Sequence, residues 1–377
     1  MTLNRDNIAH YLEEREAEIG FFATDAKLQV EEIGDGNLNY VYRVYDTSKP
    51  ESSLVLKQAP PYIKILGPDY PLTSERLSYE ARALKVHNRL ISDAVPTLYF
   101  FDPDSAVIVM EYLPEYRLLR DDLILGKVNQ IIPKQIGRFM GVVHSQTYQR
   151  NIDKTSENHY RNAFANTDMQ AITGNYVFTF PFIEHETNFY TEGLAESVEE
   201  LITDNEFLEQ VEILKNIFLR VQRGLTHGDL HTGSVMVDDN SAKVIDSEFA
   251  FYGSVGFDIG LFWANYLLSY FSHLDASKIQ TDIISAIVTL WETYIEEFRM
   301  ETSLKKRTLH VIFHEAVGFT GMEMLRRIIG AAHVRDIESI ADLDRKLRIE
   351  KAILEFGKTI IKKRNHIANV HEMVALL

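Results

Sequence analysis

The sequence contains no cysteine, which removes disulfides, thiolate nucleophiles and cysteine-bound metals and leaves the redox compartment unread. No window approaches the ~18 uninterrupted apolar residues of a membrane-spanning helix. The opening residues Met1-Thr-Leu-Asn-Arg-Asp lack the apolar core and cleavage-like site of a secretory signal, so a cytoplasmic location is the default expectation. Basic residues are the scarcer charge, 39 Lys and Arg against 55 Asp and Glu, for a net charge of −16. That balance offers no broad basic face for nucleic acid or an anionic membrane. Internal repeats and low-complexity segments are absent as well. What remains is ordinary soluble-protein composition: 377 residues, 45% hydrophobic and 25% charged, long enough for two lobes with cores of their own.

The densest chemistry lies in His227-Gly228-Asp229-Leu230-His231-Thr232-Gly233-Ser234, followed after two short β-branched runs by Asp246-Ser247-Glu248. The runs Val235–Val237 and Ala242–Ile245 flank Asp238-Asp239-Asn240-Ser241, the pattern of a β-hairpin. A hairpin returns the chain to its start and so brings Asp229 close to Asp246 and Glu248. Like charges at close range raise one another's pKa, and a divalent cation such as Mg²⁺, which prefers oxygen ligands, is the common remedy. His227 and His231 stand four apart, but the intervening Gly-Asp-Leu is not helical, so bracing of Asp229 is expected rather than a metal pair.

This stretch resembles the catalytic region of the protein-kinase-like superfamily, and His-Gly-Asp places it in the aminoglycoside phosphotransferase and choline kinase branch. Two departures are informative. Ser234 stands where most relatives carry Asn, and Glu248 replaces the Gly of Asp-Phe-Gly. Both departures, and the run Asp246-Ser-Glu-Phe-Ala-Phe-Tyr-Gly-Ser-Val-Gly-Phe-Asp258, are similar to the methylthioribose kinase family. The resemblance implies ATP and Mg²⁺ as cofactors, Asp229 as the residue that orients the acceptor hydroxyl, and Asp246 with Glu248 as metal ligands. Ser234 falls at the nucleotide side, and Asp258 is implied to brace the catalytic loop together with His227 and His231.

The remaining site residues follow from chain order. Residues 3–19 read as an amphipathic helix. Strands at 28–33 and 41–45 flank Gly34-Asp35-Gly36-Asn37-Leu38-Asn39, where Gly and Asn tolerate positive φ and could aim N–H groups at phosphate. Alone, such a tip is equally a plain turn. Ser53–Lys57 ends a strand on a lysine, the position of the superfamily's nucleotide lysine. Glu80 is its expected helix partner, with Glu75 as fallback. Pro60–Pro71, with four of the chain's ten prolines, is stiff and non-helical, either a lid or a surface loop. Glu111 and Leu113 are placed at the interlobe hinge by order, where backbone groups would read adenine. His144 reads as a core histidine, residues 151–190 as aromatic-rich and irregular without an assigned role, and Leu201–Arg220 as one amphipathic helix.

The last third reads as helices at 283–298, 309–329 and 343–363. Within it Arg326 and Arg327 sit in a strongly apolar stretch. Arginine is costly to desolvate without an anionic partner, so the pair serves either phosphate transfer or a structural ion pair. Successive helical residues point about 100° apart, so the two are expected to have separate tasks, one reaching the γ-phosphate and the other the sugar hydroxyls or a carboxylate that orients it.

The fold expected is α+β, a kinase-like two-lobe architecture: a small antiparallel-sheet lobe over 1–112 and a mainly helical lobe over 113–377. The resemblance implies ATP-dependent phosphorylation of 5-methylthioribose at its anomeric hydroxyl, giving the 1-phosphate in methionine salvage. Another small-molecule kinase, acting on homoserine, choline or an aminoglycoside, is the alternative, and a non-catalytic nucleotide-binding module the more distant one. Twin arginines weigh against a cationic substrate. The residues do not give an oligomeric state; a homodimer is the expected assembly, with no nucleic-acid or membrane partner.

Overall fold

The computed structural model describes residues 2–34 and 38–377. The chain forms two compact units: residues 1–116 with 245–249, and residues 117–244 with 250–377. The division falls after Tyr116 rather than at 112, and it assigns the Asp246 segment to the first unit although that segment follows a strand of the second.

The first unit is built on a five-stranded antiparallel sheet in the order β1-β2-β3-β5-β4. Its strands are β1 (Leu28–Glu32), β2 (Tyr40–Asp46), β3 (Lys49–Gln58), β4 (Leu98–Asp102) and β5 (Val107–Glu111). Alternation along central β3 explains what the sheet does. Leu54 and Leu56 point to a core shared with Val44, Val107, Val109 and the N-terminal Leu3, Ile8 and Leu12. Side chains one residue out of phase point to the other face, and there Lys57 meets the helix Arg76–Ile91. The opening helix breaks into Ile8–Glu13 and Glu16–Ile19, stopped by Gly20 in the left-handed conformation at φ +62°, a common helix terminator.

In the second unit β6 (Arg117–Leu118), β8 (Val235–Val237) and β9 (Ala242–Val244) form one small sheet, and β7 (Gly224–Thr226) pairs with β10 (Phe251–Gly253). The helix Gly256–Ser272 is buried on all sides except at Tyr270, as a helix apolar around its whole circumference must be. It packs on the 28-residue helix Thr302–Ile329, which in turn packs on Leu343–Lys363. Close approach is possible because a glycine faces the neighbour. A Cβ on Gly260 would lie 2.6 Å from Phe319 Cβ and 2.8 Å from the Ala316 carbonyl oxygen.

Two expectations change. The single helix over 201–220 is two, Ala195–Ile202 and Asn205–Arg220, because Asp204 caps the second by accepting from Phe207 N–H, and a cap starts a helix. Residues 151–190 are not irregular: they hold helices Lys154–Ala163 and Thr167–Phe178. Phe178 stacks at 5.1 Å on Phe218, which lies 4.8 Å from Phe257, itself 5.2 Å from Phe319, so this segment closes the aromatic core of the second unit.

Gly260→Val is expected to destabilise the protein by about 1–3 kcal/mol, the usual cost of overfilling a packed core, read as a fall in the urea midpoint. An unchanged midpoint would mean that the two helices part without cost.

Candidate functional site

The first unit supplies a nest of paired charges. Lys57 Nζ lies 2.7 Å from Glu80 Oε2 and 2.7 Å from Asp246 Oδ1, and only 3% of its side chain is exposed. Burial would strip the ammonium of its proton; Asp246 and Glu80, with Glu248 behind them, overcome that and hold it charged. Glu75, the fallback partner, is exposed at the start of the same helix. Asp246 has φ +63°, one of two non-glycine residues with positive φ among the described residues. A non-glycine residue held there stores strain that functional sites often carry.

Glu248 has different partners from the metal that the hairpin argument assigns to it. Its Oε2 accepts from Asn39 Nδ2 at 2.9 Å and lies 3.3 Å from Arg76 Nε. Arg76 is fully buried and also donates to the carbonyls of Pro60, Thr73 and Leu38. The Glu248 carboxylate therefore balances a buried guanidinium and ties both ends of the proline-rich segment to the sheet. Asn39, expected at the nucleotide, is part of that lock. Gly34 has φ +77°; Gly36 and Asn37 of the same loop lie outside the described residues. Glu111 closes β5, its carboxylate accepting from Thr97 N–H at 3.0 Å, and Leu113 is buried. Among the described residues no three His, Asp or Glu side chains gather as a preformed metal cage. Mg²⁺ does not need one, since one or two carboxylates and the substrate phosphates suffice. Asp246, with its side chain 47% exposed, fits that requirement.

The second unit carries the His-Gly-Asp loop. Gly228 has φ +83°, and this turn presents consecutive N–H groups to one buried carboxylate: Asp258 accepts from His227 N at 2.7 Å and from Gly228 N at 3.0 Å. His144 Nε2 lies 3.2 Å from Asp258, and its Nδ1 3.4 Å from Tyr294 Oη. Burial alone would raise the Asp258 carboxyl; its hydrogen bond to His144, with the imidazoles of His144 and His227, brings it below the usual carboxylate range. His227 in turn accepts from Asp229 N–H on Nδ1 at 3.3 Å.

His231 is fixed by two donors. Gly233 N–H and Arg120 Nη2 both approach its Nδ1, at 2.9 and 3.2 Å. Nδ1 is thereby the acceptor, which leaves the ring proton on Nε2, 3.5 Å from Asp229 Oδ2. Burial holds His231 below its ordinary pKa, so at neutral pH it is an uncharged brace. Asp229 would be raised by burial, yet it sits well below the usual range because His231 and, behind it, Arg327 and Arg326 face it. With His231 neutral, the lasting charges opposite Asp229 are the two guanidiniums. Ser234 is engaged within the loop. Its Oγ accepts from His231 N–H and lies 2.9 Å from the Asp229 carbonyl, so it closes the loop on itself.

Arg326 and Arg327 share one carboxylate partner. Arg326 Nε and Nη2 donate to the two oxygens of Glu323, and Arg327 Nε donates to Oε1, all at 2.7–2.9 Å. Residues three and four along a helix flank the first at about −60° and +40°, so both reach the same carboxylate. Glu323 is fully buried. Among the described residues, the hydrogen bonds made by the two guanidiniums do not use Arg326 Nη1 or Arg327 Nη2. Glu323 was legible from that spacing; Arg76 and Arg120 carried no sequence signal.

A buried lysine between two carboxylates, one of them half-exposed, and a pinned His-Gly-Asp loop are parts that a phosphotransferase uses, and residues 29–281 match the phosphotransferase enzyme family. The chain belongs to that family. It is 36% identical to the methylthioribose kinase of Geobacillus sp. (strain WCH70) over 95% of this chain and 92% of that one. It is 37% identical to that of Bacillus velezensis over 94% and 92%. Among solved structures it shares its fold with a glucosamine kinase in complex with glucosamine, ADP and inorganic phosphate, at a TM-score of 0.51, 13% identity and coverage of 94% and 86%. The protein is a small-molecule kinase, with an antiparallel-sheet unit and a helical unit as in its relatives. Among the described residues no helix is long and apolar enough to cross a membrane.

In this kinase Asp258 is a stability element that can be titrated. A carboxyl held below its unfolded pKa adds stability that is present above about 4 and lost as the pH falls through the folded value. Asp258→Asn should lower unfolding free energy by about 2–3 kcal/mol at pH 7. The gap to wild type should stay constant from pH 8 to 5 and narrow only below about 4. A gap that changes between pH 8 and 6 would assign the effect to another group.

Proposed function

We infer that the chain transfers the γ-phosphoryl group of ATP to the anomeric hydroxyl of 5-methylthioribose, giving 5-methylthioribose 1-phosphate, a methionine-salvage step. The observation that carries this reading is the Arg326–Arg327 pair on Glu323, opposite Asp229, in a chain that aligns almost end to end with methylthioribose kinases. Guanidiniums there repel choline or an aminoglycoside and suit a neutral sugar accepting an anionic group.

Asp229, ionised at neutral pH, accepts a hydrogen bond from the sugar hydroxyl and aims its oxygen at the γ-phosphorus. The new O–P bond forms as the bond from the γ-phosphorus to the β–γ bridging oxygen breaks. ADP departs with that electron pair, and the hydroxyl proton passes to Asp229. Lys57 steadies the nucleotide phosphates, while Arg326 and Arg327 offer their remaining N–H groups to charge spreading over the transferred group. Asp246 would hold Mg²⁺, which when bound neutralises phosphate charge; Glu248 acts through Arg76. The backbone after β5, at Glu111 and Leu113, is placed against the adenine, and Gly34 near the phosphates. Cytoplasmic location and a homodimer belong to the same proposal, the latter read from the mass in solution by light scattering.

Asp229→Asn should leave ATP binding intact and lower kcat by at least ~10³, since it removes both orientation and the proton acceptor. ATP consumption would be measured against methylthioribose, ribose, homoserine, choline and kanamycin. Preference for any but the first, or a tenth of wild-type kcat in the variant, would sink the assignment.

Arg326→Ala and Arg327→Ala should each lower kcat/KM for methylthioribose by roughly 10²–10³. Arg→Lys should restore only part of it, because lysine keeps the charge and loses the planar fork. Normal sugar kinetics in both folded alanine variants would reduce the pair to a structural partner of Glu323.

A further inference from the structure

Two buried polar atoms of the second unit have no hydrogen-bond partner among the described residues, and they are complementary. Asp336 is 4% exposed, and its Oδ1 accepts from nothing. Arg120 Nε, also buried, donates to nothing, although Nη2 of the same guanidinium reaches His231. Their neighbours in sequence are tied together: Arg335 Nη1 lies 2.9 Å from Asp121 Oδ1. That ion pair pins the short helix Arg335–Glu338 to the helix Leu119–Ile124 beside both residues. The charges also feel each other. Burial raises the Asp336 carboxyl and Arg120 is the main group pulling it back, yet Nε and Oδ1 do not bond.

An unmade buried hydrogen bond costs about 1–3 kcal/mol, more for a charged group, so two such atoms, on helices that the Arg335–Asp121 ion pair holds together, mark a place where something binds. The occupant must accept from a guanidinium N–H and donate to a carboxylate. A phosphate can only accept, and Asp336 repels it. An ammonium can only donate, and Arg120 repels it. A hydroxyl does both through one oxygen. The location agrees, since Arg120 holds the histidine whose Nε2 faces Asp229, and a sugar carries further hydroxyls beside the one that reacts.

We propose that Arg120 and Asp336 are specificity-determining residues that bind a second hydroxyl of the sugar, Arg120 Nε–H donating to it and the hydroxyl donating to Asp336 Oδ1. The assignment rests on the methylthioribose kinase reading and extends it by naming what selects a polyol. A ring hydroxyl bound between two opposite charges is aligned in two directions, which fixes the rotation of the sugar and hence the aim of its anomeric oxygen.

The test is a cycle between enzyme and substrate. Wild type, Asp336→Ala and Arg120→Gln are assayed with methylthioribose and with its 2-deoxy and 3-deoxy analogues. For one of the two analogues, wild type should lose about 10–100-fold in kcat/KM, as for a hydrogen bond to a charged group. Each variant should lose a similar factor on the full substrate and no more than about threefold further on that analogue, because the contact is already gone. The KM for ATP should not move. Asp336→Asn, which keeps the shape and an acceptor oxygen, carries the same cycle should the alanine variant melt early. Losses that multiply for both analogues would overturn the assignment and make the pair a structural or water-filled site. No turnover of methylthioribose by wild type would instead overturn the proposed function, and this assignment with it.

Discussion

Asp258 is the interaction on which the catalytic half of the molecule hangs. A single buried carboxylate accepts from two successive backbone N–H groups and meets a buried histidine, so a loop that would otherwise expose its amides is held in one shape. The glycine at 228 is required there, because φ +83° is a conformation that other residues adopt only at a cost. From that fixed point the loop builds outward. Asp229 leans on His227, Ser234 closes the loop on itself, and His231 is oriented by Gly233 and Arg120. Asp229 is thus more exposed than the histidine beside it, and the carboxylate beneath the loop is fully engaged. That is how precision is obtained without rigidity in the reacting group itself.

The same rule governs the other buried charges. Each is expensive alone and acceptable when matched: Lys57 between two carboxylates, Arg76 on Glu248, and two arginines on Glu323. The matches differ in purpose. Lys57 and the arginine pair are held by carboxylate side chains, which orient them. Arg76 spends its donors on backbone carbonyls and on Glu248, and that one is structural. A Glu two positions from a site Asp can therefore also serve a buried arginine, because the chain leaves the short β9 edge and re-enters the first unit at once.

How much of this was legible in the sequence follows from the range of each interaction. Local patterns were readable: the β8–β9 hairpin from its Asp-Asp-Asn-Ser turn, the strand that carries Lys57 one residue from its end, the long apolar helices. Glu80 was found over Glu75 because helical register turns one face inward, and register is local too. What could not be read is long-range pairing. Nothing near residue 76 announces that its guanidinium meets Glu248, 172 positions on, and nothing in Leu119-Arg120-Asp121 announces His231. Segment 151–190 looked irregular because its many aromatics mask helical periodicity; those rings are the core contacts themselves, as Phe178 shows against Phe218 and Phe319.

The twin arginines teach a narrower point about helices. Adjacent side chains diverge by about 100°, which argued for separate tasks, yet a partner three and four residues back lies between the two directions. Geometry that separates neighbours from each other unites them on a third residue one turn away. The consequence for charge is specific. One Glu323 faces two guanidiniums, so the group of three keeps a net positive charge beside Asp229. The positive charge that Glu323 leaves uncompensated is the one that faces the Asp229 carboxylate and holds it ionised. The uneven ratio leaves a field in place around Asp229, and a field built from fixed groups needs no reorganisation to act.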